Sequence, residues 1–181
     1  MKSLKLPYYV SLLSAAEYHG AAHQRPQALQ VFLEGKRRPI VCGRVRVTFM
    51  VRKHLRSVPV QPVNTPRGGL LISTPESTAL DLVGYEQQAG GLNLVATVLA
   101  ELAEKIDPAK LVAAADAAPI VWAQRLGYLL QHVGAAGKTA PLQEHVRARA
   151  QKATPLAPGR AFRDSPRDPA WKIYMNAEVE T

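Results

Sequence analysis

Residues 70–82 read LLISTPESTALDL, and this stretch constrains the fold more than any other. Leu70, Leu71 and Ile72 form a short apolar run that reads as a buried strand. Ser73-Thr74-Pro75-Glu76 follows at once as a helix start. Ser73 and Glu76 stand at capping-box spacing, where each side chain can satisfy the other residue's backbone N–H. Thr74 is an equally suitable N-cap, with Pro75 then at the first helical position, where its missing N–H costs nothing. Either way, a strand hands over to a helix. In that helix Leu80 and Val83 face the core, and Asp81 lies beside them near the helix edge. The chain before the junction reads as basic β structure, and the chain after it as mostly apolar helix.

The spacing predicts a helix over residues 7–19, opened by Pro7 and closed by Gly20, with Tyr9, Leu12, Leu13 and Ala16 in one stripe. A connection over 21–26 holds His23 and Arg25. Residues 28–34 alternate as a strand, 35–39 turn, and 40–42 resume extended structure. The clearest β pattern spans 44–52: Val45, Val47, Phe49 and Val51 point one way, and Arg44, Arg46, Thr48, Met50 and Arg52 the other. Pro59 and Pro62 mark 58–63 as an edge strand. After the first capped helix, Gly90-Gly91 break the chain. Leu92, Val95, Leu99, Leu102 and Ile106 then line one helix face. Asp107-Pro108 caps the next helix. Pro119 opens another, where Trp122, Leu126, Leu129, Leu130 and Val133 share a face up to Gly134. A last helix spans 139–149. Pro155, Pro158, Pro166 and Pro169 make 153–169 a long loop, and 170–176 alternate as a closing strand that returns to the sheet. The expectation is one domain over 1–181: a helix with a basic β-rich part (1–73), a helical part (74–150), and a Pro-rich loop with a closing strand (151–181). The fold class is α+β. A mixed or mainly antiparallel sheet from the N-terminal half, plus the C-terminal strand, packs on the C-terminal helices.

Charge is the main functional signal. Between residues 25 and 67 the basic residues are Arg25, Lys36, Arg37, Arg38, Arg44, Arg46, Arg52, Lys53, Arg56 and Arg67, and the only acid is Glu34. This segment carries the chain's whole formal charge of +9, and the remainder balances to zero. Such a local excess is the electrostatic footprint of a polyanion-binding surface. The apolar fraction of 47% supports a packed core, and a single cysteine, Cys42, excludes a disulfide framework. No apolar run is long enough to span a membrane. The N-terminal stretch carries Tyr8, Tyr9, Ser11 and Ser14, with Glu17 where a signal peptide has a small-residue cleavage site. The expected location is the cytoplasm.

The common chemistries lack their residues. Gly134 to Thr139 resembles the end of a phosphate-binding loop but has too few residues between its glycines and follows a helix. Glu34-Gly35-Lys36 resembles part of a nuclease metal site, yet the first aspartate in the chain is Asp81. His19 and His23 lack a third metal ligand nearby. Cys42 has no partner base. Trp122, Trp171 and Tyr128 read as core residues. Asp81, the one acid on a mostly apolar helix stretch, is expected to find an internal hydrogen bond or an arginine partner. No catalytic residue, metal site or cofactor is expected.

Taken in order, six stretches resemble the AbiEi antitoxin family of transcriptional regulators. They are PYYVSLLSAAEYHGAAHQRPQ (7–27), RRPI to GRVRVTF (38–49), NTPRGGLLISTPESTALDLV (64–83), GGLNLVATVLAELAE (90–104), WAQRLGYLL (122–130) and WKIYMNAEVE (171–180). The resemblance implies an antitoxin of an abortive-infection toxin–antitoxin pair used in phage defence. The toxin is an AbiEii-type nucleotidyltransferase, a functional partner whether or not the two touch. It also implies repression of the antitoxin's own promoter. Family members usually carry an N-terminal winged helix-turn-helix ahead of the antitoxin domain. Here Met1 stands almost at the start of that domain, so the reading head is expected to be separate or missing. Promoter DNA contacts are then expected from Arg25, Lys36, Arg37, Arg38, Arg44, Arg46, Arg52, Lys53 and Arg56. Ser73, Thr74, Pro75, Glu76 and Asp81 are expected to be structural. Competing readings are a basic RNA- or protein-binding module without regulatory DNA binding, or a degenerate nuclease-like domain.

Overall fold

A computed structural model describes residues 6–22, 26–66 and 68–181. Arg25 and His23 lie outside the described residues. The fold is α+β. In chain order its elements are β1 (Tyr8–Val10), α1 (Leu12–Tyr18), β2 (Leu29–Leu33), β3 (Ile40–Cys42), β4 (Val45–Val51), β5 (Val60–Thr65), β6 (Gly68–Ser73), α2 (Pro75–Gly84), α3 (Leu92–Leu102), α4 (Pro108–Asp116), α5 (Ile120–His132), α6 (Ala140–Arg149), β7 (Thr154–Pro155), β8 (Arg167–Asp168) and β9 (Ile173–Tyr174). The main sheet is mixed, in the order β3-β4-β2-β1-β6-β5. β1 runs antiparallel to β2 and parallel to β6, and β2 runs parallel to β4. Two hairpins, β3–β4 and β5–β6, form its outer edges.

The helix expected over residues 7–19 is shorter than its pattern suggested. Tyr8–Val10 form an interior strand, and the helix begins only at Leu12. Tyr9 stacks on Phe32, with ring centroids 5.3 Å apart, on the face that the helices cover. Tyr8 and Val10 pack with the cluster on the opposite face. An interior strand that is apolar on both faces loses the period of two that would mark it, so pairing to β2 and β6 decides what periodicity could not.

At the strand–helix junction Thr74 is the N-cap of α2, its Oγ1 accepting from Ser77 N–H at 3.3 Å, with Pro75 opening the helix. The capping box does not form. Glu76 Oε1 instead accepts from Asp107 N–H at 2.9 Å, joining α2 to the start of α4. Asp107 caps α4 through Ala109 and Lys110 N–H at 2.9 and 3.1 Å.

The C-terminal stretch departs from the sequence-based expectation. β9 does not return to the main sheet; it pairs with β7 and β8 in a separate three-stranded sheet. Two of those short strands lie in the segment expected to be loop. The anchor is α5. Trp171 is fully buried against Gly127, where a Cβ would come within 2.0 Å of the indole. Its Nε1 donates to Gln131 Oε1 at 2.7 Å. Arg125 Nε donates to Pro155 O at 2.9 Å. Because Trp171 and Ile173 bury in the helical core, the last strand is tied to that layer instead of a sheet edge.

Candidate nucleic-acid interface

Every residue from Glu34 to Arg46 is exposed, the strand residues of β3 included. Lys36, Arg37 and Arg38 lie in the connection to β3, and Gly43-Arg44 form the tight turn into β4. Gly43 has φ +59, the sign that a two-residue hairpin turn of type II′ requires at its first position. Cys42 pairs with Val45, Val41 with Arg46 and Ile40 with Val47. Arg46 therefore shares a ribbon face with Val41, while Val45 and Cys42 share the other. Arg37 belongs to the second side, its guanidinium 5.3 Å from the centre of the Phe49 ring. The basic residues thus surround the β3–β4 hairpin instead of lining one strand face. Lys53 and Arg56 are exposed beyond the other end of β4, and Arg56 Nε lies 3.9 Å from Glu34 Oε1. An exposed pair at that distance adds little stability.

Arg52 corrects the expected DNA-contact set. It is only 5% exposed and so is withdrawn from any DNA-facing surface. Two residues before it, Met50 packs against the helical core, and the same strand face continues inward to Arg52. Its Nε lies 3.2 Å from Asp81 Oδ1, its Nη2 donates to Ala117 O at 3.2 Å, and its guanidinium sits 4.4 Å over the Trp122 ring. The Nε and Oδ1 atoms make no aligned hydrogen bond, so that contact is chiefly Coulombic.

Asp81 is fully buried at the centre of a polar network. Its Oδ2 accepts from Tyr9 Oη at 2.8 Å and from Ser11 Oγ at 2.9 Å. Ser73 Oγ donates to Ser11 Oγ at 3.0 Å and lies 2.7 Å from Thr78 Oγ1. Burial pushes the Asp81 carboxyl up to about 6, against the pull of Arg52 and the two hydroxyl donors. Burial and then the neighbouring carboxylate push the Tyr9 phenol up as well. The network joins β1, β6, α2 and the end of β4 at the strand–helix junction. His19 Nε2 lies 2.8 Å from Ser73 O, and burial lowers its pKa.

In the stretch that resembled a phosphate-binding loop, Lys138 takes a structural place. Lys138 Nζ donates to Ile106 O at 3.0 Å. Among the described residues no group of three His, Cys, Asp or Glu side chains could hold a metal. None of the described helices is long and apolar enough to cross a membrane. Sequence reasoning missed a second basic cluster around β7–β9, where Arg167 lies 5.0 Å over the Tyr174 ring and Phe162 tilts against it at 5.1 Å. Its signal was available: Lys152, Arg160, Arg163, Arg167 and Lys172 face only Asp164 and Asp168 in residues 152–172.

The chain is an antitoxin-type α+β domain. Residues 9–132 match the model of the AbiEi antitoxin C-terminal domain, and the chain belongs to that family. Membership supports the role of antitoxin in a toxin–antitoxin pair. Among solved structures, the RV2827C protein from Mycobacterium tuberculosis is similar in fold, with a TM-score of 0.64 over 95% of this chain at 17% sequence identity. This chain spans 63% of that protein's length. No curated protein sequence matches the chain.

Proposed function

We propose that this chain is the antitoxin domain that neutralises an AbiEii-type nucleotidyltransferase toxin in the cytoplasm as part of phage defence, and that it assists repression of its own promoter. It acts by binding, not by catalysis. The observation that carries the DNA-binding part is the unbroken exposure of residues 34–46, which hold Lys36, Arg37, Arg38, Arg44 and Arg46 against one acid. Phosphate contacts of this kind position a protein on a duplex without reading bases. Lys53 and Arg56 extend the same field. Neutralising about four phosphates gives a log–log salt slope near −4.

Fluorescence-anisotropy titration against a labelled promoter duplex and a scrambled duplex, at two salt concentrations, tests this part. Steeply salt-dependent binding is expected. No binding to either duplex would move the basic surface to RNA or protein. Co-expression with the cognate toxin tests the antitoxin part, and restored growth is the expected result.

A further inference from the structure

The β3–β4 hairpin has a shape and composition that phosphate contact alone does not explain. β2 begins at Leu29, opposite Val47, so its pairing with β4 starts there. The pairs Val41–Arg46 and Cys42–Val45, with the Gly43-Arg44 turn, project past that point as a two-stranded ribbon. Two residue pairs and a turn reach about 7–10 Å at ~3.4 Å per residue. Val41 is 66% exposed and Val45 49% exposed, one on each ribbon face. Ile40, on the face of Val45, is 39% exposed as well, and exposed apolar surface gathered on one projecting hairpin marks an interaction site. Arg44 and Arg46 stand beside these two valines, and Lys36, Arg37 and Arg38 lie at the base.

From this geometry we infer that the ribbon formed by residues 40–46 enters the major groove of duplex DNA with its Ile40–Cys42–Val45 face toward the base edges, where Val45 meets thymine methyl groups and the flanking arginines hold the phosphate walls. This rests on the DNA-binding reading above and goes further, because it makes this domain a reader of bases. The dimensions select the groove. The major groove of B-form DNA, about 12 Å wide and 8.5 Å deep, admits a two-stranded ribbon, and the ~6 Å minor groove does not. The thymine C5-methyl group lies only in the major groove, where apolar side chains meet it. A-form RNA presents a deep, narrow major groove that excludes the ribbon.

Cys42, the only cysteine in the chain, is exposed beside the turn and reports on the ribbon. The experiment follows alkylation of Cys42 by iodoacetamide in the full chain, free and with promoter duplex. Anisotropy on the same samples reports binding independently. With duplex at about 100 times its Kd, about one molecule in a hundred is free, so alkylation should slow by at least about tenfold. An RNA duplex of the same sequence should leave the rate unchanged. Replacing one contacted thymine by uracil should weaken binding about fourfold, the worth of one buried methyl. The variant Val45→Ser should lose that preference while still binding DNA. Duplex binding with Cys42 alkylated at its free rate, or binding indifferent to uracil at every promoter position, would overturn the ribbon's entry and leave the DNA-binding reading intact. Cys42 protection that rises with protein concentration in the absence of DNA would assign the ribbon to a protein contact and also overturn it. Absence of duplex binding by anisotropy would instead remove the DNA-binding reading itself.

Discussion

Arg46 and Arg52 belong to one β segment and, by its period of two, to one side of it, yet they have opposite fates. Arg46 stands on the exposed ribbon. Arg52 lies just past the end of β4, buried between Asp81 and Trp122. The difference comes from what covers each position. β2 pairs beside β4 from Val47 onward and the helical layer covers its Met50 end, whereas the ribbon extends beyond both. A guanidinium under cover must be paired and hydrogen-bonded to exist at all. One in water remains available to a partner. The same residue type therefore acts as a fastener in one place and as a contact surface in the other.

Four measurements break or sharpen this contrast. The largest effect is expected from Arg52→Ala, which strands the buried Asp81 carboxylate. Chemical denaturation should show a loss of about 3–5 kcal/mol. A loss below about 1 kcal/mol would mean that Arg52 is not the fastener.

The next is the pH dependence of the pair. The Asp81 carboxyl is raised to about 6 in the folded chain, against an unperturbed 3.8. The folded state therefore holds this proton more tightly, and the stability so gained is fully present below about 3.8 and lost as pH rises through 6. The loss is about 3 kcal/mol across that window. Asp81→Asn cannot titrate, so its stability relative to wild type should climb between pH 4.5 and 7.5. A constant difference between the two denaturation series would show that Asp81 titrates alike in folded and unfolded chains.

Smaller again is Trp122→Leu, which removes the aromatic face from under Arg52 and should cost about 1–2 kcal/mol. Its cost should fall sharply in an Arg52→Ala background, which a double-mutant cycle would detect.

Smallest in stability is Arg46→Ala, expected within about 0.5 kcal/mol of wild type. Its effect belongs to DNA: the salt slope should shrink by about 0.9, one phosphate contact. A large stability loss here would erase the contrast with Arg52.

Much of the helical half was legible. The helices from residue 75 to 149 carry apolar spacing and local start signals that need only local information, with side-chain caps at Thr74 and Asp107. The basic segment was also legible, because charge is additive along a chain. Its division was not: the strand pattern put Arg44, Arg46 and Arg52 on one face, whereas Arg44 sits in a turn and Arg52 is buried. Tyr8–Val10 and the β7–β9 sheet escaped for a related reason. Each depends on segments distant in sequence, and the short strands at residues 154–155 and 167–168 have no periodicity of their own.

By itself the sequence determined the strand-to-helix handover at residues 73–75, the run of amphipathic helices, the charge excess of residues 25–67 and the family resemblance. These rest on interactions within a few residues, or on composition, and so survive without knowledge of the fold. Only the tertiary structure decided which arginine is buried, that Asp81 is its partner across the junction, and that residues 40–46 project beyond the sheet. Burial and register arise from contacts between segments dozens of residues apart, and those contacts set the dielectric and solvent access that turn a charged side chain into a fastener or a contact surface.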